Sequence, residues 1–211
     1  MYSSEIRRPY AVKCGNGALC ALRSFEMRVI TGTARGRRLI APEGLDVRPT
    51  TDKVKEAVFS AVQFELEDAS VLDLFAGSGQ MGIEALSRGA AKAVFVDSSP
   101  KAVKCISENL RATKLDKVSQ LVSRDSYDYI KLTAETFDII ILDPPYRCGH
   151  VDKILPFAAN KLNDGGFIIC EYESEADEPK TPEGLTLKKT YRYGKINVTI
   201  FCKYPEEADE E

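Results

Sequence analysis

The chain has 211 residues, of which 44% are hydrophobic and 29% charged, and its net charge is −3. Length and composition fit one globular domain with a sizeable core. They exclude a membrane span, because no apolar run approaches the roughly 20 residues that cross a bilayer. The start of the chain lacks a continuous apolar h-region, so no secretory signal is expected. Six cysteines stand at positions 14, 20, 105, 148, 170 and 202 without a Cys-x-x-Cys pair, and His150 is the only imidazole. That argues against a metal site or a disulfide framework and for a reducing cytoplasm. Charge is uneven: Arg28 to Lys55 carries seven Lys or Arg against Glu43, Asp46 and Asp52, while acid gathers in Glu171 to Glu178 and Glu206 to Glu211.

Residues 1–26 show neither helical nor strand periodicity and read as a flexible extension, or as a start set upstream of Met27. The fold proper is expected over 27–205, with 206–211 a solvated acidic tail. Two short β-favouring runs, Arg28-Val29-Ile30-Thr31-Gly32 and Arg37-Arg38-Leu39-Ile40, flank a Gly36-containing turn and suggest a basic β-hairpin. Arg28, Arg35, Arg37 and Arg38 are then either a solvated face or a phosphate-contacting arm. Arg48-Pro49-Thr50-Thr51-Asp52 leads into a helix, which Thr50 or Thr51 can cap and whose dipole suits Asp52. Val54, Val58, Ala61, Val62 and Leu66 share one face of it, whereas Arg48, Lys53 and Lys55 are expected to extend the basic surface.

Ser70 to Gly82 reads as a strand, a glycine-rich turn and a helix over Gln80 to Arg88. Its Gly77-Ser78-Gly79-Gln80-Met81-Gly82 spacing lets the backbone approach a ligand closely, although a tight turn alone would need the same glycines. Lys92 to Val96 is the next strand and ends in Asp97, 18 residues after Gly79. At about that spacing a carboxylate accepts the ribose hydroxyls of an adenosine cofactor. A helix follows from Ser99 to about Ala112, with Val103 and Ile106 inward, then a strand over Val118 to Val122. Asp125 either accepts an adenine amino group or caps the helix starting near Ser126.

Phe137 to Leu142 is an apolar strand that stops at Asp143-Pro144-Pro145-Tyr146. Two prolines cannot continue a ladder, so the chain leaves the sheet there in a stiff, extended form. A carboxylate, the Pro144 carbonyl and an aromatic ring then stand at a strand's carboxyl end, where open α/β sheets bind ligands. The carboxylate and carbonyl can accept both hydrogens of an amino group, and Tyr146 can stack on a flat base. A helix over Val151 to Leu162, a turn at Asn163-Asp164-Gly165-Gly166 and a strand over Phe167 to Tyr172 come next. Leu185 to Tyr193 and Ile196 to Tyr204 form a closing antiparallel hairpin across Gly194-Lys195. Alternation of strands and helices predicts an α/β fold: a Rossmann-like, mostly parallel central sheet with helices on both faces.

Taken together, these motifs resemble the S-adenosylmethionine-dependent class I methyltransferases. The Asp143 to Tyr146 segment is similar to the motif of enzymes that methylate planar nitrogens. Met27 to Gly32, Arg35 to Leu39, Arg48 to Glu56, Leu72 to Gly79 and Glu84 to Gly89 resemble the RsmD family of bacterial 16S ribosomal RNA guanine-N2 methyltransferases, over about 27–204. Asp97 stands where that family more often has glutamate, Gln80-Met81 replaces smaller residues, and 1–26 has no counterpart. The resemblance implies S-adenosylmethionine held by Asp73, Phe75, Gly77, Gly79, Asp97 and Asp125. It implies chemistry at Asp143, Pro144, Pro145 and Tyr146, and RNA contacts at Arg28, Arg35, Arg37, Arg38 and Arg48. The implied target is a guanine at position 966, in the usual rRNA numbering, of the 16S rRNA of the small subunit or its assembly intermediate. A monomer without metal is expected. The rivals are a nicotinamide oxidoreductase, which gives no reason for Asp-Pro-Pro-Tyr, an amino-methyltransferase acting on DNA, another RNA or protein glutamine, and a non-catalytic RNA-binding assembly factor.

Overall fold

A computed structural model describes residues 12–13, 19–20, 27–42, 51–144 and 150–204. Two two-residue strands, β1 (Val12–Lys13) and β2 (Leu19–Cys20), pair antiparallel inside the segment expected to hold no strand. Strands that short leave no readable period. The remaining strands are β3 (Ser70–Leu74), β4 (Lys92–Asp97), β5 (Ser119–Ser123), β6 (Phe137–Leu142), β7 (Leu162–Glu173), β8 (Thr186–Tyr193) and β9 (Ile196–Cys202). The helices are α1 (Asp52–Ala61), α2 (Gln80–Ser87), α3 (Pro100–Thr113), α4 (Ser126–Leu132) and α5 (His150–Ala159).

The seven-stranded sheet has the order β5-β4-β3-β6-β7-β9-β8, parallel from β5 to β7 and antiparallel at β9 and β8. Alternation along each strand feeds two cores. Val71, Ile139, Ile141, Ile169, Val198 and Ile200 face α1, α2 and α3. Leu72, Leu74, Ile140, Leu142, Ile168 and Phe201 face α4 and α5. Helices on both faces and the closing hairpin agree with the sequence-based expectation. Every residue of β9 is buried, because the strand lies between β7 and β8 instead of at the edge. Asn163 to Gly166, expected as a free turn, is an irregular stretch of β7: Gly165 N–H donates to Lys203 O at 2.6 Å and Lys203 N–H to Gly166 O at 3.0 Å. In α3 it is Ala102, Cys105, Ile106, Asn109 and Leu110 that are buried, while Val103 is only partly so.

The expected N-terminal hairpin narrows to one antiparallel bridge, Arg28 with Arg38, around a turn at Thr33 to Gly36. Side chains of α2 and α3 take the backbone donors that a longer ladder would use. Glu84 accepts Ile30 N–H at 2.8 Å and Thr31 N–H at 3.0 Å. Ser87 Oγ accepts Ala34 N–H at 2.9 Å, and Asn109 Oδ1 accepts Ile40 N–H at 2.9 Å. The basic loop is thus fastened to the sheet's helical layer. Lys55 does not extend the basic surface: it is buried and donates to Arg28 O at 2.7 Å, with Asp52 3.6 Å away. Burial lowers its proton affinity, and the acids Glu84 and Asp52 oppose that.

Candidate active site

Strand order reverses between β3 and β6: β4 and β5 lie on one side of β3, while β6 and β7 lie on the other. A crevice opens at such a switch point, outside the carboxyl ends of the strands. The glycine turn leaves β3 there, Asp97 ends β4 and Asp143 follows β6.

The turn is tightly specified. Phe75 has φ 61° and Gly79 φ 74°, both in the left-handed region, so Phe75 carries strain that only its surroundings hold in place. Phe75 N–H donates to Ser126 Oγ at 3.3 Å, which ties the turn to the start of α4. A Cβ on Gly79 would meet Ile106 at 3.2 Å, and one on Gly82 would meet the Phe95 ring at 2.4 Å. Gly82 is therefore required for α2 to pack on β4, while Gly79 is favoured by its left-handed backbone. Gly82 N–H donates to Asp73 Oδ2 at 2.9 Å, and Gly77 N–H to Asp97 Oδ2 at 2.9 Å. Asp97 Oδ1 accepts Ser99 N–H at 2.8 Å. Each Asp97 oxygen keeps a further lone pair for a hydroxyl donor. Asp97 thus both braces the turn and remains a fitting acceptor for a ribose.

Asp125 realises one of its two readings: its Oδ1 caps α4, accepting Tyr127 N–H at 2.9 Å and Asp128 N–H at 3.1 Å. Oδ2 makes neither of these bonds. Gln80 is buried at the start of α2, and its Oε1 has no partner among the described residues. An orphaned acceptor, a turn that only glycine can make and a carboxylate with spare lone pairs fit a polar, adenosine-bearing cofactor.

Asp143 gathers with two other acids. Burial, then Glu171, then Asp73 hold its carboxyl well above the usual carboxylate range. Asp73 is itself pushed up to about 7, chiefly by burial, with Asp97 adding to the rise and the Gly82 N–H opposing it. Glu171 escaped the sequence reading. It is buried on β7 one step beyond the Leu142–Cys170 pair, level with Asp143. The signal was present as a single acid inside the apolar run Phe167 to Tyr172. Pro144 is buried beside Asp143, whereas Pro145 and Tyr146 lie outside the described residues, as does Arg48.

Arg28, Arg35, Arg37 and Arg38 are exposed, and Arg28 Nε pairs with Asp52 Oδ2 at 3.1 Å. The structure does not bring them into the carboxylate cluster; they stand on the loop fastened to α2 and α3. Their loop touches the glycine turn where Ser78 Oγ meets Met27 Sδ at 3.8 Å. Among the described residues no group of His, Cys, Asp and Glu could hold a metal ion, and no helix is long and apolar enough to cross a membrane.

The family model described as "Conserved hypothetical protein 95" matches residues 27–202. YlbH of Bacillus subtilis, an rRNA methyltransferase by assignment, is 38% identical over 84% of this chain and 99% of its own length. Ribosomal RNA small subunit methyltransferase D of Escherichia coli is 31% identical over 89% of this chain and 94% of its own. The solved Escherichia coli structure of yhhF, assigned as a methyltransferase, superposes with TM-score 0.77 at 28% identity, covering 86% of this chain and 99% of that one. Fold, switch-point motifs and these likenesses agree: the chain belongs to the Conserved hypothetical protein 95 family, the RsmD family of methyltransferases.

Proposed function

We propose that this protein transfers a methyl group from S-adenosylmethionine to the exocyclic N2 amine of a guanine in 16S ribosomal RNA, at position 966, within the small subunit or its assembly intermediate. The observation that carries the reading is the convergence, at one switch point, of the turn braced by Asp97 with the Asp143 carboxylate. When bound, S-adenosylmethionine supplies an electrophilic methyl on a sulfonium. Asp97 accepts the ribose hydroxyls, Asp125 Oδ2 the adenine amine, and the turn from Phe75 to Gly79 closes over the cofactor. Asp143 and the Pro144 carbonyl each accept one N–H of the guanine amine. That pulls its lone pair out of conjugation and aims it at the methyl. Positioning and fixed dipoles supply the acceleration. After transfer the nitrogen carries one proton too many, and ionised Asp143 takes it. Tyr146 stacks on the base, which enters unpaired or flipped. Arg28, Arg35, Arg37, Arg38 and Arg48 meet RNA phosphates. The unit 27–205 acts as a monomer in the cytoplasm, with 1–26 dispensable and 206–211 an acidic tail.

The test is to incubate the chain with methyl-labelled S-adenosylmethionine and rRNA, naked or in small subunits, and to map the label. A single labelled guanine N2 is expected. Label only on DNA or on protein would overturn the reading.

A further inference from the structure

We infer that the edge strand β8 is a second RNA-contacting surface, on which unpaired nucleotides flanking the target base stack against Tyr191 and Tyr193 while Lys189 meets a phosphate. The inference rests on the proposed RNA substrate and adds a place for its strand.

Register carries the argument. Glu171 pairs with Val198, and Val198 with Tyr191, so one row crosses β7, β9 and β8 level with Asp143 on β6. Residues paired across strands share a face, and strands lie about 4.8 Å apart. Tyr191 is therefore roughly 14 Å from the Asp143 position, on the same face of the sheet. Tyr193 stands two residues nearer the ligand edge, in the next row on the same face, paired with Ile196. At about 3.4 Å per nucleotide in a stacked strand, the gap is a reach of a few nucleotides.

The side chains suit that strand. Tyr191 and Tyr193 pack against the core on the α1 face yet stay partly exposed, with near-parallel rings (15°) and centroids 6.3 Å apart. Lys189 is exposed on the same side, its Nζ 4.8 Å from the Tyr191 ring centroid. Lys188 is already engaged, by Glu65 and by the Phe167 ring. Aromatic rings beside an exposed ammonium are the usual platform for single strands, since every base has a π-face. In the connection from β7 to β8, Glu178 holds the hydroxyl of Thr190, which alternates to the face opposite Tyr191, and Asp152 of α5 holds Lys180 N–H.

The test uses the whole chain with a fluorescein-labelled single-stranded RNA of about twelve nucleotides, read by anisotropy, beside steady-state methylation of rRNA. Replacing Tyr191 and Tyr193 together by leucine keeps apolar volume against the core and removes the stacking faces. Affinity should fall roughly 5- to 100-fold, with KM for RNA rising in step and cofactor affinity reporting an intact fold. The double phenylalanine variant should recover most of the loss. Lys189→Ala should flatten the salt dependence by about one unit of slope. If wild type methylates rRNA and the leucine pair matches it in affinity and KM, this inference falls and the methyltransferase reading stands. If the leucine pair loses affinity but wild type leaves rRNA unlabelled, the β8 surface stands and the proposed substrate falls.

Discussion

Removing the Glu84 carboxylate should loosen the basic loop and destabilise the whole fold. Glu84 is fully buried on α2 and accepts three donors: Ile30 N–H at 2.8 Å, Thr31 N–H at 3.0 Å and Arg88 Nε at 2.8 Å. In Glu84→Ala both backbone donors lose their acceptor. Arg88, packed over Phe59, is left with an uncompensated charge and only the Thr31 hydroxyl. Breaking a buried pair by deleting one partner costs about 3–5 kcal/mol. In a fold of this size each kcal/mol lowers Tm by roughly 2–4 °C, so a drop of about 6–20 °C is expected. Glu84→Gln keeps one acceptor oxygen but turns an amide N–H toward a donor, so it should lose roughly 1–3 kcal/mol. Thermal and urea unfolding give the global figure, and hydrogen exchange at Ile30 and Thr31 gives the local one. Ser87→Ala, which frees Ala34 N–H and the Thr31 carbonyl, should couple to Glu84→Ala in a double-mutant cycle. A Glu84→Ala protein melting within about 2 °C of wild type, with slow exchange at both amides, would refute the reasoning.

Asp97→Ala removes the proposed ribose acceptor and frees Gly77 N–H; calorimetry should show cofactor affinity about ten- to over a hundredfold weaker, and an unchanged affinity would reject the role. Asp143→Ala should slow single-turnover methylation by about 10²–10³-fold, with Asp143→Asn retaining more activity, and the wild-type rate should climb with pH above the ordinary carboxylate range as Asp143 loses its proton. A wild-type rate in a folded Asp143→Ala protein would reduce the motif to a turn. Replacing Arg35 and Arg37 by alanine should flatten the salt dependence of RNA binding by about one unit per lost phosphate contact; an identical slope would leave these arginines a solvated face. Asp73 binds its proton more tightly folded than unfolded, with a folded pKa of about 7 against an ordinary 3.8. Its contribution is therefore full below about pH 4 and lost as pH rises to about 7, a swing on the order of 4 kcal/mol. The stability difference between wild type and Asp73→Asn, from urea titrations across that range, should shrink with rising pH; a flat difference would contradict it.

Short-range pattern made much of this protein legible. The apolar runs of β3, β4 and β6, the glycines after Leu74 and the prolines after Asp143 determine strands and exits by local sterics alone. Because those exits share one sheet edge, Gly77, Gly79, Asp97 and Asp143 could be put forward as candidates without coordinates, and Asp73 by the family resemblance. Asp125 stayed open between cap and acceptor, since both readings ask for the same residue at the same place.

What tertiary structure decided concerns groups far apart in sequence. Lys55 reads as surface charge, yet helical phase turns it inward, where the Arg28 carbonyl and Asp52 receive it. Glu84 acquires its anchoring role only because the loop 54 residues earlier in the chain presents two N–H groups to it. Glu171 meets Asp143 only because β7 pairs with β6, and Tyr191 joins their row only because β9 inserts between β7 and β8. Side-chain periodicity specifies which face a residue takes, but not which strand lies beside it. Strand order and register follow from burying both faces of the whole sheet at once, and that condition is written in no single stretch of the sequence.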